Sequence, residues 1–286
     1  MGTVQPMRVA VPVSSLWTDP SRPRPVDAAI VADDPDSVAW LRALDQHELE
    51  GESGDGRLGL HGRLDSQLVA GEPVLVVADD ATESGSDSGA DSGSDSGAES
   101  GSGSEWVQVF CPWQPSSLDE RGYPGWLRRA HLIPDDTGGH TDGPSDESWI
   151  VAGRGVRPDL ELAREHLGLV YLWGGMSPWG LDCSGLVHLV QRELGRVVPR
   201  DAHDQRAICE PVELDAVQPG DLYFFAGSAE GAADAVSTTA TSGTDHVGIV
   251  TAPMNMIHAC GHCGVVEEPL DDGRRATLVA AGRLPG

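Results

Sequence analysis

Three side chains in the second half of this 286-residue chain have the types and the order for acyl-transfer chemistry. Cys183 stands in Asp182-Cys183-Ser184-Gly185-Leu186, His246 in Asp245-His246-Val247-Gly248-Ile249-Val250-Thr251, and His258 in Met256-Ile257-His258-Ala259. A thiolate attacks a carbonyl carbon, an imidazole takes the thiol proton and returns it to a leaving amine, and a third polar group orients that imidazole. Alone, a cysteine at a helix start is a small buried hydrophobe, and a lone strand histidine is a satisfied core or surface residue. The three in this order favour catalysis.

Local pattern predicts the elements that position them. Leu186, Val187, Leu189, Val190 and Leu194 share one face of an amphipathic helix that Gly195 stops. Cys183 then sits at the helix N-terminus, where free N–H groups and the macrodipole favour an anion and lower the thiol pKa. Upstream, Tyr171-Leu172-Trp173-Gly174-Gly175 reads as strand-like, and its glycine pair admits a close neighbour. His246 enters an apolar strand. His258 lies on a second strand, reached through a turn at Pro253-Met254-Asn255. Antiparallel pairing would put both imidazoles on one face, toward the helix that carries Cys183.

These residues, with Pro199-Arg200-Asp201-Ala202-His203-Asp204-Gln205 and Pro219-Gly220-Asp221-Leu222, resemble the NlpC-type cysteine peptidases, compact papain-like enzymes that cut peptidoglycan peptides next to D-glutamate. The resemblance covers roughly residues 155–286 and implies Cys183 as nucleophile, His246 as general base and His258 as orienter. Upstream, Val9–Val13, Leu16–Pro20, Glu105–Val109 and Gly122–Leu127 are similar to the bacterial SH3-like module of the dipeptidyl-peptidase VI branch, which trims free murein peptides inside the cell. That similarity implies that Asp65 meets the substrate's free amine and that Tyr123 closes the end of the groove. It also implies substrate contacts for Tyr171, Asp182, Ser184 and Asp201. Ala202 stands where a serine is common, and only about 30 residues separate Leu132 from the peptidase, too few for a second such module.

The implied fold is α+β, an SH3-like β-barrel followed by a papain-like peptidase domain. Its bounds are a module at 1–135, with a helical insertion at Val38–Leu44, a linker at 136–154 and a catalytic domain at 155–286. The implied reaction is hydrolysis of the γ-D-glutamyl–diamino acid bond in free murein peptides that begin with L-Ala. An amidase or acyltransferase on the same fold, or a non-catalytic wall-binding protein, are the alternatives. In the module, Trp126 reads as core and Tyr123, between Gly122 and Pro124, as a loop residue.

Composition narrows the partners. The net charge is −26 and all 19 basic residues are arginine. No cationic surface offers itself to nucleic acid or anionic lipid, and the charge with no lysine fits a salt-adapted protein. Glu83–Glu105 is a Ser/Gly/Asp tract expected to be disordered, the expanded tip of a hairpin between Val74–Val77 and Trp106–Val109. Ala226–Thr244 is a second small-residue insertion, placed to gate the site. With no signal-like or membrane-spanning apolar run, the expectation is a cytoplasmic enzyme. Five cysteines do not suggest a disulfide framework. Cys260-Gly261-His262-Cys263 reads as a turn with incidental thiols, although Cys260 is a redox candidate. Zinc would accept this composition with His258, but no distant second ligand pair accompanies it. Cys111 and Cys209 read as structural, and no cofactor or metal is expected.

Overall fold

Short β-branched and aromatic runs split by proline and glycine dominate the first 135 residues. In the computed structural model they pair into one antiparallel sheet. The structure describes residues 4–47, 51, 54–77, 105–135, 158–227 and 244–285. The acidic tract apart from Glu105, the whole 136–154 segment and all but the ends of the 226–244 insertion lie outside them.

Strands β1 (Val4–Val9), β2 (Val13–Trp17), β3 (Leu64–Val69), β4 (Pro73–Val77), β5 (Trp106–Cys111), β6 (Tyr123–Arg128) and β7 (Leu132–Pro134) form the first sheet, in the order β3-β2-β6-β5-β4-β1-β7. β4 and β5 are antiparallel neighbours, with Leu75 opposite Phe110 and Val76 opposite Val109. The acidic tract therefore joins two strands of one sheet, as a hairpin connection does. The end strands β3 and β7 do not pair with each other among the described residues, so the order is open and no closed barrel is seen. Helix α1 (Ser37–Asp45) covers one end, burying Trp40 and Leu44 against Trp17, Ile30, Leu60 and Leu64. Asp36 caps it by accepting the Ala39 N–H at 2.9 Å.

The second half is a mixed α/β unit. After α2 (Pro158–Glu165) come the short pair β8 (Met176–Ser177) and β9 (Gly180–Leu181), then α3 (Cys183–Glu193) and α4 (Ala202–Ile208). A second antiparallel sheet follows. It contains β10 (Glu210–Val212), β11 (Leu222–Phe225), β12 (His246–Ala252), β13 (Asn255–Cys260), β14 (Gly264–Pro269) and β15 (Leu278–Arg283), with α5 (Asp272–Thr277) before the last strand. Its order is β10-β15-β11-β12-β13-β14.

Three local expectations hold. Helix α3 begins at Cys183, Gly195 takes a left-handed φ of 76° just past its end, and Met254 turns β12 into β13 at φ 58°. One differs. Tyr171–Gly175 is not a strand: it makes one isolated bridge, Tyr171 to Leu181, and then turns at Gly174, whose φ is 70°. Helix α3 is amphipathic as expected, with its polar side buried as well. Leu186, Val187 and Val190 pack on Val247, Ile249, Ile257 and Ala259 of the second sheet, yet His188, Gln191 and Arg192 are buried too. On that side Arg192 donates to Glu72 and lies over the Trp113 ring, both from the first half of the chain, and His188 faces the Val198–Pro199 backbone.

Candidate active site

The nucleophile candidate is held by a buried ion pair. Asp182 precedes α3, and its Oδ1 accepts the Gly185 N–H at 2.6 Å as an N-cap. Arg200 clamps the same carboxylate through two nitrogens, at 3.0 and 2.6 Å, and donates to Ser184 Oγ at 2.9 Å and to Ser66 Oγ at 2.8 Å. Asp182 and Ser184 are therefore occupied inside the protein. Cys183 is 8% exposed. Burial first, and then the Asp182 charge, push its thiol up to about 12 against the pull of the Val247 and Ser184 N–H groups and of Arg200. The thiol pKa is thus raised rather than lowered as expected from the helix N-terminus: desolvation outweighs the N–H groups and Arg200 that favour the anion, and the resting thiol is neutral.

His246 and His258 meet directly. His246 Nε2 and His258 Nδ1 are 2.8 Å apart with rings nearly perpendicular, and His258 Nε2 is 3.1 Å from Glu268 Oε1. The β12–β13 register places His258 across from Gly248, where a Cβ would come within 3.3 Å of His258 Cβ. Glycine there lets the ring lean diagonally to His246. Both imidazoles share a face, as expected, but not the face that packs on α3. By alternation they lie with Phe225, Val250 and Met256, while Val247 and Ile249 point to the helix. Cys183 lies at the strand end, where the Val247 N–H, next in sequence to His246, points to its sulfur. No thiol–imidazole hydrogen bond is made among the described residues; such contacts tighten when substrate binds. Burial, then Arg274 and His258, hold His246 well below the usual histidine pKa, so it rests neutral, with a free proton site.

The residues expected at the substrate's amino end also converge. Tyr123 is not on a loop: it opens β6, is 6% exposed and donates its O–H to Asp201 Oδ2 at 3.0 Å. Trp126, expected in the core, is only half-buried. Asp65 on β3 accepts no hydrogen bond among the described residues. Burial and the neighbouring Asp201 carboxylate raise its pKa from 3.8 to about 7, with Arg200 opposing. Burial likewise raises Asp201 against Arg200. Tyr171 is half-buried, and its carbonyl accepts from Arg57 at 3.3 Å. Gly174 brings this segment onto β3: a Cβ there would lie 2.9 Å from Leu64 Cγ and 3.3 Å from the Asp65 carbonyl carbon.

Cys260 and Cys263 are joined by a disulfide across the β13–β14 turn, which corrects the reading of incidental free thiols. Cys111 is fully buried and Cys209 partly so. The sequence reading missed Arg200, Arg274, Glu268 and the buried Glu72. Each acts through a partner on another element, whether 10 positions away, as for Glu268 and His258, or 120, as for Glu72 and Arg192, which no local pattern signals. No helix among the described residues is long and apolar enough to cross a membrane.

Comparison with known proteins agrees with this geometry. The NlpC/P60 family profile matches residues 168–280, a span that holds Cys183, His246 and His258. The gamma-D-glutamyl-L-lysine dipeptidyl-peptidase of Bacillus subtilis (strain 168) is 27% identical over 266 residues, 75% of this chain and 79% of that protein. The probable endopeptidase NlpC of Escherichia coli (strain K12) is 34% identical over 129 residues, 45% of this chain and 73% of that protein. The crystal structure of an NlpC/P60 family protein from Bacillus cereus ATCC 10987 covers 98% of this chain and is itself covered in full, with a TM-score of 0.73 at 21% identity, a likeness of fold. The chain belongs to the NlpC/P60 family.

Proposed function

We propose that the protein is a cysteine peptidase that hydrolyses the γ-D-glutamyl–diamino acid bond of short murein-derived peptides and needs their free amino terminus. The observation that carries this reading is the acidic cluster of Asp65, Tyr123 and Asp201, in which Tyr123 donates to Asp201 and the Asp65 and Asp201 carboxylates crowd each other, joining the first sheet to the unit holding Cys183. Two crowded carboxylates, both raised in pKa, are satisfied by a cation, and a peptide ammonium provides one through a charge-assisted hydrogen bond. Tyr123 closes this end of the groove against a longer chain. The relatives named gamma-D-glutamyl-L-lysine dipeptidyl-peptidases support the same specificity. In this reading residues 1–135 are an SH3-like module whose role is to shape the groove, 136–154 a linker and 155–286 the catalytic domain.

The reaction follows from the resting charges. With a neutral thiol and a neutral imidazole, proton transfer accompanies attack rather than preceding it. The Cys183 proton passes to His246 Nδ1 as sulfur bonds to the γ-carbonyl of D-Glu. Backbone N–H groups at the start of α3 stabilise the oxyanion. His246 then gives the proton to the leaving diamino acid amine, and water, deprotonated by His246, releases the acyl group. The test is mass-spectrometric assay of free and N-acetylated L-Ala-γ-D-Glu-diamino acid peptides with the wild type and Cys183→Ala. The free peptide is cut only by the wild type, and acetylation lowers kcat/KM sharply. Equal cleavage of both peptides would sink the amine-recognition reading.

A further inference from the structure

The chain of contacts around the paired histidines extends one member beyond a cysteine and two histidines. β13 and β14 pair in a register that sets His258 opposite Val266 and Met256 opposite Glu268, so Glu268 is diagonal to His258 on the same face of the sheet. Its Oε1 stands 3.1 Å from His258 Nε2. His258 is fully buried, whereas the Glu268 side chain is 44% exposed.

We propose that Glu268 is a positioning residue that fixes the tautomer of His258 and, through it, that of His246. An ionised carboxylate only accepts hydrogen bonds, so His258 Nε2 must carry the proton. His258 Nδ1 is then an acceptor, and at 2.8 Å from His246 Nε2 it requires the His246 proton on Nε2. That leaves the lone pair on His246 Nδ1, the nitrogen that must accept from the thiol. Without Glu268 the opposite assignment becomes available. His258 would then donate from Nδ1 to His246 Nε2, and the His246 proton would move to Nδ1, where it blocks the base. In the catalytic step one proton moves, from Cys183 Sγ to His246 Nδ1. The resulting imidazolium keeps its Nε2–H bond to His258, while His258 and Glu268 neither gain nor lose a proton. Among the described residues, charged or titratable groups near the pair include Arg274, which lies 5.7 Å over the Phe225 ring, and Cys183 with Asp182 at the start of α3. None of them offers a carboxylate to His258 Nε2.

This assignment rests on the peptidase reading for its kinetic arm but not for its spectroscopic one. The experiment is imidazole ¹⁵N NMR of the full chain for the wild type, Glu268→Ala and Glu268→Gln, with kcat and KM on the free L-Ala-γ-D-Glu-diamino acid peptide. In the wild type, both histidines are protonated on Nε2. Glu268→Ala mixes the tautomers and lowers kcat by about 10–100-fold. That is less than the roughly 10⁴-fold loss when a protease histidine is held in the wrong tautomer, because water reaches the exposed carboxylate position. KM is unchanged, since Glu268 is not a substrate contact. Glu268→Gln, whose amide oxygen still accepts from Nε2–H, keeps the wild-type tautomers and most of kcat. A wild type protonated on His258 Nδ1 overturns the proposal. So does Glu268→Ala with unaltered tautomers, whatever its activity. If no variant cuts the peptide, the substrate reading fails while the ¹⁵N shifts still decide the role of Glu268.

Discussion

At the scale of single residues, the acidic cluster at the amino end makes a pH prediction. Asp65 titrates near 7 rather than 3.8 because burial and Asp201 oppose its charge; Arg200 pulls the other way, and Tyr123 is spent on Asp201. Productive binding needs this carboxylate ionised and the peptide amine protonated. The kcat/KM profile, which reports free enzyme and free substrate, climbs through about 7 and falls as the peptide amine, whose pKa is about 8, loses its proton. Asp65→Asn removes the rising limb and leaves the falling one. An unaltered rising limb in that variant would assign it to another group. The stability sign is the reverse of an ordinary salt-bridged acid. The folded state holds the Asp65 proton longer than the unfolded chain does, so this residue's contribution falls as pH rises from about 4 to about 7. Sequence showed which residues to examine here but not their ionisation. The pairing of His246 with His258 and the place of Cys183 at the start of α3 were legible from type and order; the upward shift of the thiol was not, because it depends on burial by residues elsewhere in the chain.

Elements are joined by polar contacts that cross the two halves. Arg192 on α3 donates to Glu72 at 2.8 Å, Glu72 accepts from Gln114 at 2.8 Å, Ser66 donates to Gln114 at 2.6 Å, and Arg200 links Ser66 to Asp182 beside the nucleophile. Glu72 is fully buried and Arg192 nearly so. Removing one member of such a pair strands a buried charge, at a cost of about 3–5 kcal/mol, whereas replacing both by apolar side chains is near neutral. Glu72→Gln therefore lowers stability by about that amount in urea unfolding, and Glu72→Met with Arg192→Met restores most of it. Gln114 keeps its second bond, to the Gln67 carbonyl at 3.0 Å, in either case. A single Glu72→Gln variant as stable as the wild type would show that the contact does not dock the first sheet onto α3. The start of α3 at Cys183, its stop at Gly195 and the β4–β5 and β12–β13 neighbours were legible, since caps, glycine and alternation are local signals, whereas Val9–Val13, read as one run, spans the end of β1, a turn and the start of β2. The covering of α3 on its polar side was not legible. The apolar stripe marks one face only, and the partner of Arg192 on the other is a glutamate 120 positions away.

The whole molecule carries its charge unevenly. All 19 cations are arginines, and several are committed to interior carboxylates: Arg24 to Asp27, Arg192 to Glu72 and Arg200 to Asp182, with every one of these arginines buried. A guanidinium suits this use, because its planar fork satisfies a carboxylate bidentately and is less strongly hydrated than an ammonium. These three interior pairs neutralise themselves, so the net charge of −26 is carried by the other residues, in which acidic groups far outnumber arginines. Repulsion among exposed carboxylates reaches about 30 Å at 0.01 M salt and only about 3 Å at 1 M. The melting temperature should therefore rise steeply as potassium chloride goes from millimolar to molar, while the interior arginine pairs, shielded from solvent, change little. The acidic tract is not the main source. Of the 45 acidic residues it holds only Glu83, Asp87, Asp91, Asp95, Glu99 and Glu105. A chain lacking residues 83–105 should keep most of the salt dependence, because the repelling carboxylates are spread over both folded halves. A melting temperature flat across the titration would mean that the surface charge is locally compensated, and would remove the argument from composition to salt adaptation.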